Sequence, residues 1–143
     1  MPTPRRTEPA SALDAALQRV GDRWSLLLVE RLLAGPRRFG ELLEGLDGLA
    51  PNILSSRLKA LEAEGVVTAR PYSRRPLRVA YALSASGAEL AGALRLLAQW
   101  GAHGAGAEPV RHATCGTPME PRWWCRTCAR MVEDGEAPDL DYA

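Results

Sequence analysis

The N-terminal part of the chain places its apolar residues at the spacing of amphipathic helices. Leu13, Leu17 and Val20 recur at helical spacing after Ser11, which is a candidate N-cap residue. The run WSLLLVERLLAG (24–35) is more uniformly apolar, as is typical of a largely buried helix. The pattern therefore predicts two successive helices.

The next two helical segments are short and are joined by a tight turn. RRFGELLEGL (37–46) is amphipathic, and PNILSSRLKALEAEG (51–65) begins with proline, which is favoured at the first helical position. Gly48 lies in the turn between them. This arrangement predicts a helix-turn-helix, although many ordinary helix pairs share it. The positions predicted to face the core are Phe39, Leu42, Leu43, Leu46, Leu54, Leu58 and Leu61.

A predicted β-hairpin follows directly. GVVTARPYS (65–73) and LRVAYALS (77–84) are strand-like, and Val79, Tyr81 and Leu83 alternate along the second segment. A hairpin placed after the second helix makes a winged helix-turn-helix. The predicted fold is therefore mainly α (α+β), with a two-stranded wing.

A longer amphipathic helix is predicted over residues 85–103, with Ser84 as its N-cap. The winged unit is complete without this helix, so its apolar stripe needs a partner. A C-terminal dimerisation helix is the favoured interpretation, and ordinary packing within the chain is the alternative. The stripe consists of Leu90, Leu94, Leu97 and Trp100.

Composition and charge limit the kinds of molecule that the protein is expected to bind. Of the 143 residues 46% are apolar, yet no run approaches the roughly 18 apolar residues of a membrane span. The polar N-terminus lacks a signal-peptide pattern, so a cytoplasmic protein with no membrane association is expected. The net charge is +4 up to Ala105 (14 Lys+Arg against 10 Asp+Glu) and −3 from Gly106 onward (4 against 7). The first part can therefore approach a polyanion.

The exposed face of the second short helix carries candidate base-reading residues. Opposite its leucines lie Asn52, Ser55, Ser56 and Lys59. Asparagine can pair with adenine, serine with several base edges, and lysine with guanine or phosphate in the major groove. A merely solvated helix face is the alternative interpretation.

The predicted hairpin is strongly basic. It carries four arginines and no acid between Arg70 and Arg78, a composition that suits DNA phosphates or the minor groove. Tyr72 either packs there or donates to a phosphate. Edge charges that deter aggregation are the competing explanation, but these normally mix signs or use lysine. The candidate DNA contacts outside the helix are Arg37, Arg38, Arg70, Tyr72, Arg74, Arg75 and Arg78.

Several motifs together resemble the HxlR family of bacterial winged-helix transcription regulators. They are GDRW (21–24), GPRRFGELLEGLDGLAPNILSSRLKALEAEGVV (35–67), RPLRVAYALSASG (75–87) and Trp100. The resemblance covers about Ser11 to Trp100. It implies a homodimer whose terminal helices pair and whose recognition helices read an inverted repeat in double-stranded DNA.

The chain departs from the family pattern at two positions. Ser11 stands where many family members carry a sensing cysteine, which excludes a thiol switch at the usual place and leaves any small-molecule inducer unidentified. Ala50 replaces the Ser or Thr that commonly caps the recognition helix, at a cost of about 1 kcal/mol of helix stability.

A candidate metal site lies behind the region of resemblance. His112, Cys115, Cys125 and Cys128 form the pattern H-x2-C-x9-C-x2-C, and three cysteines with one histidine close a tetrahedral zinc shell. A C-terminal segment this short rarely folds without a metal or a disulfide, because chains below about 40 residues bury too little surface. A structural Zn²⁺ is therefore predicted. An iron-sulfur cluster and a redox-active Cys125–Cys128 pair are the weaker alternatives, and a catalytic zinc is disfavoured because no coordination position stays open.

These patterns predict a transcription regulator. The alternative is a winged-helix protein-interaction module that does not bind DNA and docks a partner through the zinc knuckle. An enzyme is not expected, since the chain has no nucleophile elbow, P-loop or HExxH motif. The predicted organisation is a flexible arm (1–10), a winged helix-turn-helix domain (11–104), and a linker, zinc knuckle (110–132) and acidic tail within 105–143.

Overall fold

The computed structural model describes residues 8–136, so most of the predicted arm and the end of the predicted acidic tail lie outside the described residues. The α-helices are α1 (Ala12–Val20), α2 (Arg23–Leu33), α3 (Phe39–Glu44), α4 (Pro51–Ala63), α5 (Ala85–Ala88) and α6 (Leu90–Ala105). The strands are β1 (Arg37–Arg38), β2 (Val67–Arg74), β3 (Leu77–Leu83), β4 (Trp123–Cys125) and β5 (Arg130–Val132). A 3₁₀ turn (Asp134–Glu136) follows. No helix among the described residues is both long and apolar enough to cross a membrane.

The chain divides into two compact units between Leu94 and Arg95, inside α6. The reason lies in the contacts of α6. Leu90 and Leu94 pack against the apolar core of the first unit, and no residue of α6 is fully buried.

The first unit is a mixed α+β winged helix-turn-helix fold built on a leucine-rich core. Of the positions predicted to face inward, Leu42, Leu46, Leu54, Leu58 and Leu61 are buried, while Phe39 and Leu43 are partly buried against them. The N-cap prediction at Ser11 is also confirmed, because its hydroxyl accepts a hydrogen bond from the Asp14 amide at 3.1 Å. Helical periodicity therefore locates most of the core.

The end of α4 fixes where the wing begins. Gly65 has a φ of +70°, which favours glycine. The Gly65 amide donates to Glu62 O at 3.0 Å and the Val66 amide donates to Leu61 O at 2.9 Å, the two bonds of a Schellman motif. Val66 and Val67 are buried, so strand β2 leaves the helix along a defined path.

The prediction that Arg37 and Arg38 open a helix is wrong. They form strand β1, which pairs with β3 through Arg37–Tyr81 and Arg38–Ala80, and helix α3 begins only at Phe39. The Arg38 amide donates to Glu41 Oε2 at 2.6 Å and so caps that helix. The sheet is therefore three-stranded, in the order β1-β3-β2.

The hairpin of β2 and β3 confirms the predicted wing. Its antiparallel register runs from Val67–Leu83 to Arg74–Leu77 and contains an irregularity between Pro71 and Ser73. The buried residue of β3 is Ala82, however, and the alternating residues Val79, Tyr81 and Leu83 are only partly buried. Because β3 is the central strand and packs at its end against the core, the simple alternation breaks down there.

The predicted long helix is divided into α5 and α6 at Glu89 and ends two residues later than expected. Ser84 is the N-cap of α5, as predicted, and its hydroxyl accepts a hydrogen bond from the Gly87 amide at 3.0 Å. Gly87 is buried against the segment that follows α4, where a Cβ would run into the carbonyl oxygen of Val66. This glycine allows α5 to approach the start of the wing.

Replacing Gly87 by alanine is expected to lower the free energy of unfolding by about 1–3 kcal/mol, because the added methyl overpacks the contact with Val66. Urea unfolding of the purified protein measures this change. Gly40→Ala is the control: a Cβ there meets nothing within 4 Å, so stability should stay the same or rise by up to about 1 kcal/mol. Equal stabilities of the two variants would contradict the packing argument.

Candidate nucleic-acid interface

Contacts with the core fix the rotation of α4 about its axis and thereby determine which side of the helix is exposed. Leu54, Leu58 and Leu61 are at most 1% exposed. Helical geometry then turns the opposite side outward. Of the predicted base-reading residues, Asn52, Ser56 and Lys59 are exposed and Ser55 is half-buried.

The two ends of α4 differ in their polar partners. Ala50 makes no side-chain hydrogen bond to the first turn, which confirms the expected missing cap. At the other end, Arg19 of α1 contacts Glu64 with its Nε 3.2 Å from Oε2 and donates to the Glu64 carbonyl at 3.0 Å. Sequence reasoning missed this pair. Arg19 partly neutralises the negative charge of Glu64 at the C-terminal end of α4.

The wing exposes an acid-free set of arginines. Arg70 and Arg74 lie on β2, Arg78 lies on β3, and Arg75 lies in the turn between the strands. All four are exposed. Within residues 8–136, none of them has a carboxylate within 4 Å of its guanidinium group. Their charge is therefore available to an anionic partner.

Arg38 and Tyr72 are brought together by the sheet. The Arg38 guanidinium carbon lies 4.7 Å from the centre of the Tyr72 ring, a cation–π contact. Packing of Tyr72, one of the two roles considered for it, is therefore observed. This contact extends the basic surface of the wing to β1.

Arg37 is placed differently from Arg38. It is half-buried and lines a surface cleft together with Arg31, Glu41 and Glu44. The cleft thus holds two arginines and two carboxylates, whereas the side chain of Arg38 is exposed outside it. Arg37 is therefore less suited to a phosphate contact than Arg38.

The predicted metal ligands lie in the second unit, in two tight turns. In the first turn, the Gly116 amide donates to His112 O at 2.8 Å and the His112 amide donates to Thr117 O at 2.9 Å. Cys115 Sγ lies 3.2 Å from His112 Nδ1 and 3.3 Å from Thr117 Oγ1. Hydrogen bonds from Thr117, and then from His112, lower the pKa of Cys115 to about 7.

The second turn joins β4 to β5. The Cys128 amide donates to Cys125 Sγ at 3.4 Å, and Cys125 pairs with Arg130 across the hairpin. The hydrogen bond from the Cys128 backbone is the main cause that lowers the pKa of Cys125. Each turn therefore gathers two of the four predicted ligands. Among the described residues, no three His, Cys, Asp or Glu side chains are grouped so that they could hold a metal ion.

The winged unit defines a class of protein: an exposed polar helix face beside a basic hairpin is the architecture of winged helix-turn-helix transcription regulators. The model of the HxlR-like helix-turn-helix family matches residues 19–108, more than half of the chain. The chain belongs to this family, as its motifs indicate. Membership in this family implies DNA binding.

Individual relatives agree with this assignment. An HTH-type transcriptional regulator of Mycobacterium tuberculosis (strain H37Rv) is 38% identical over 122 residues, 82% of this chain and 77% of the relative. One from Bacillus subtilis (strain 168) is 36% identical over 95 residues, 66% and 88% of the respective chains. A solved structure, described as that of a transcription factor candidate from Pseudomonas aeruginosa, has 32% identity and a TM-score of 0.70 over 92% of this chain and 90% of its own. That likeness extends beyond the family match into the C-terminal unit.

A double-mutant cycle tests the contact between Arg38 and Tyr72. We expect Arg38→Ala and Tyr72→Ala to be coupled by about 0.5–1 kcal/mol in the free energy of unfolding, the range for an exposed cation–π pair. Tyr72→Phe keeps the ring and should preserve the coupling. Urea unfolding of the single and double variants measures it, and additive effects of Arg38→Ala and Tyr72→Ala would contradict the contact.

Proposed function

We propose that the protein is a sequence-specific regulator that binds an inverted-repeat operator as a homodimer. The observation that carries the proposal is the pairing, in one winged unit, of an exposed polar helix face with an acid-free basic wing. The two surfaces have complementary chemistry for DNA, since one offers groups that read base edges and the other offers positive charge for phosphates.

The proposed recognition helix is α4. Asn52 and Lys59 project from its exposed side, and both types of side chain can make specific hydrogen bonds to purines in the major groove. Ser56 lies between them on the same face and can bond to several base edges. The half-buried Ser55 is placed at the border of this surface.

The wing supplies the sequence-independent part of the binding. Arginines neutralise phosphates and release condensed counterions, so each contact adds affinity that falls with rising salt. Arg74 and Arg75 are at the tip of the hairpin and can reach farthest from the core. Arg38 can join them, because a guanidinium stacked on an aromatic ring keeps its N–H edge free to donate.

The proposed dimer interface is centred on α6. Leu97 is 53% exposed and Trp100 is 78% exposed, although both belong to the apolar stripe of the helix. A surface stripe of this kind is typical of a helix that packs against a second helix. A second copy of the chain would cover both stripes and set the spacing between two α4 helices.

The controlling signal stays a prediction. A small-molecule inducer is the expected kind of signal, and Ser11 removes the cysteine that many family members use. Binding at a promoter would act by direct competition with polymerase or by its recruitment.

Substitutions in helix α4 and substitutions in the wing should affect DNA binding differently. Lys59→Ala is expected to cost about 1–3 kcal/mol in preference for specific DNA over scrambled DNA, with little effect on the scrambled sequence. Arg74/Arg75→Ala should weaken binding to both and reduce the salt slope by about two. Fluorescence anisotropy with DNA from upstream of the protein's own gene, across a salt series, measures both effects.

Arg122/Arg126→Ala is the matched control, because it removes the same charge from two exposed arginines outside the winged unit. Its salt slope should equal that of the wild type. If the control loses as much affinity as the wing variant, the wing is not the phosphate-binding surface. If the wild type binds both DNAs equally and weakly at every salt concentration, the protein is an interaction module instead of a regulator.

Trp100→Glu is expected to convert a dimer into a monomer, because it places a charge in the proposed helix pair. Light scattering after size exclusion should give twice the 15.5 kDa chain mass for the wild type and the single chain mass for the variant. Leu77→Glu changes a similarly exposed apolar residue on the wing and should remain dimeric. A monomeric wild type at micromolar concentration would contradict the homodimer.

A further inference from the structure

The two cysteine-containing turns of the second unit are equivalent. HATCGT (112–117) and CRTCAR (125–130) align with a constant offset, so that each turn has a candidate ligand at its first and fourth positions. The fifth residue of each turn has a positive φ, +71° at Gly116 and +51° at Ala129. Ala129 is the only non-glycine residue with a positive φ among the described residues. The two turns therefore share the same ligand spacing and a positive φ at the same position.

This backbone shape suits a metal-binding turn. In both turns the first and sixth residues pair across the hairpin: His112 with Thr117, and Cys125 with Arg130. The pairing brings the first and fourth side chains to the same turn, and the Cys128 amide already points at Cys125 Sγ. An amide hydrogen bond to a ligand sulfur helps to orient that ligand towards the metal.

We propose that His112, Cys115, Cys125 and Cys128 together bind one structural Zn²⁺ ion. Three thiolates and one imidazole are a ligand set that zinc prefers, and four protein ligands complete its tetrahedral shell. The ion would receive two ligands from each turn. It would hold the turns together and would have no open position for catalysis.

The C-terminal unit needs a stabilising metal ion, because its own side chains bury little apolar surface. Among the side chains that the structure describes from Gly106 onward, none is buried. Even Trp123 and Trp124, beside the second turn, are 62% and 56% exposed. Hydrophobic burial therefore contributes little to the order of this segment, whereas a structural zinc site contributes folding free energy directly.

Binding one ion requires the two turns to close on each other. Each pair of ligands is formed in the structure, but among the described residues the pairs are not gathered into one group. Zinc binding would bring both pairs of ligands to one ion. Trp123 and Trp124 directly precede Cys125, so their fluorescence should report the closure.

Metal analysis of the full-length protein, purified under reducing conditions, is the test. The wild type should contain about one Zn²⁺ per chain, and His112→Ala, Cys115→Ser, Cys125→Ser and Cys128→Ser should each lose it. His103→Ala is the matched control, since His103 and His112 are the two histidines of the chain, and it should keep its zinc. Adding Zn²⁺ to the metal-free wild type should shift the tryptophan emission.

His112→Cys separates loss of a ligand from loss of structure. A set of four cysteines also binds zinc, so this variant should retain one ion, and on replacement by Co²⁺ its thiolate-to-cobalt absorption should exceed that of the wild type. Zinc-free wild-type protein that binds neither Zn²⁺ nor Co²⁺ would overturn the proposal. Equal zinc loss in the His103 and His112 variants would also overturn it. So would a Cys125–Cys128 disulfide that persists under reducing conditions, or iron and sulfide found in place of zinc. These readouts do not depend on DNA binding.

Discussion

Leu54, Leu58 and Leu61 pack into the core along one side of α4, and their burial is the constraint on which the proposed DNA-binding surface depends. A rotation of the helix about its axis would expose these leucines at a cost of about 1.5–3 kcal/mol for each side chain. The setting is therefore fixed, and the residues free to meet another molecule are those on the opposite side. The packing of the apolar side of α4 thus determines which polar residues of the helix are exposed.

The same packing places the wing. The Schellman motif at Gly65 ends α4, and the buried Val66 and Val67 carry the chain from the helix into β2. Strand β1 then pairs on the other side of β3, and Arg38 reaches Tyr72 across the sheet. Helix α4 and the wing are therefore packed in one unit, and the groups proposed to read bases and to bind phosphates have a defined relative position.

The parts of this fold that could be predicted are those that depend on neighbouring residues. Helical periodicity located the buried leucines of α4, and the two strand-like segments after Gly65 located the wing. Strand β1 was missed because two residues carry no periodicity and pair with partners far along the chain. The contact between Arg19 and Glu64 was missed for the same reason, since it joins two helices whose relative position the sequence does not show. The ligand spacing identified the cysteine turns, but their shared backbone geometry became visible only in the structure.

Helix α6 contains three glycines, Gly92, Gly101 and Gly104, and it has no fully buried residue. Each glycine costs about 1 kcal/mol of helix stability relative to alanine, and the helix recovers little of this by packing within its own chain. Its backbone amides beyond Leu94 should consequently open to solvent far more often than those of α4 and exchange hydrogen for deuterium earlier. If a second copy covers α6 as proposed, this part of the helix should stay closed for longer as the protein concentration rises.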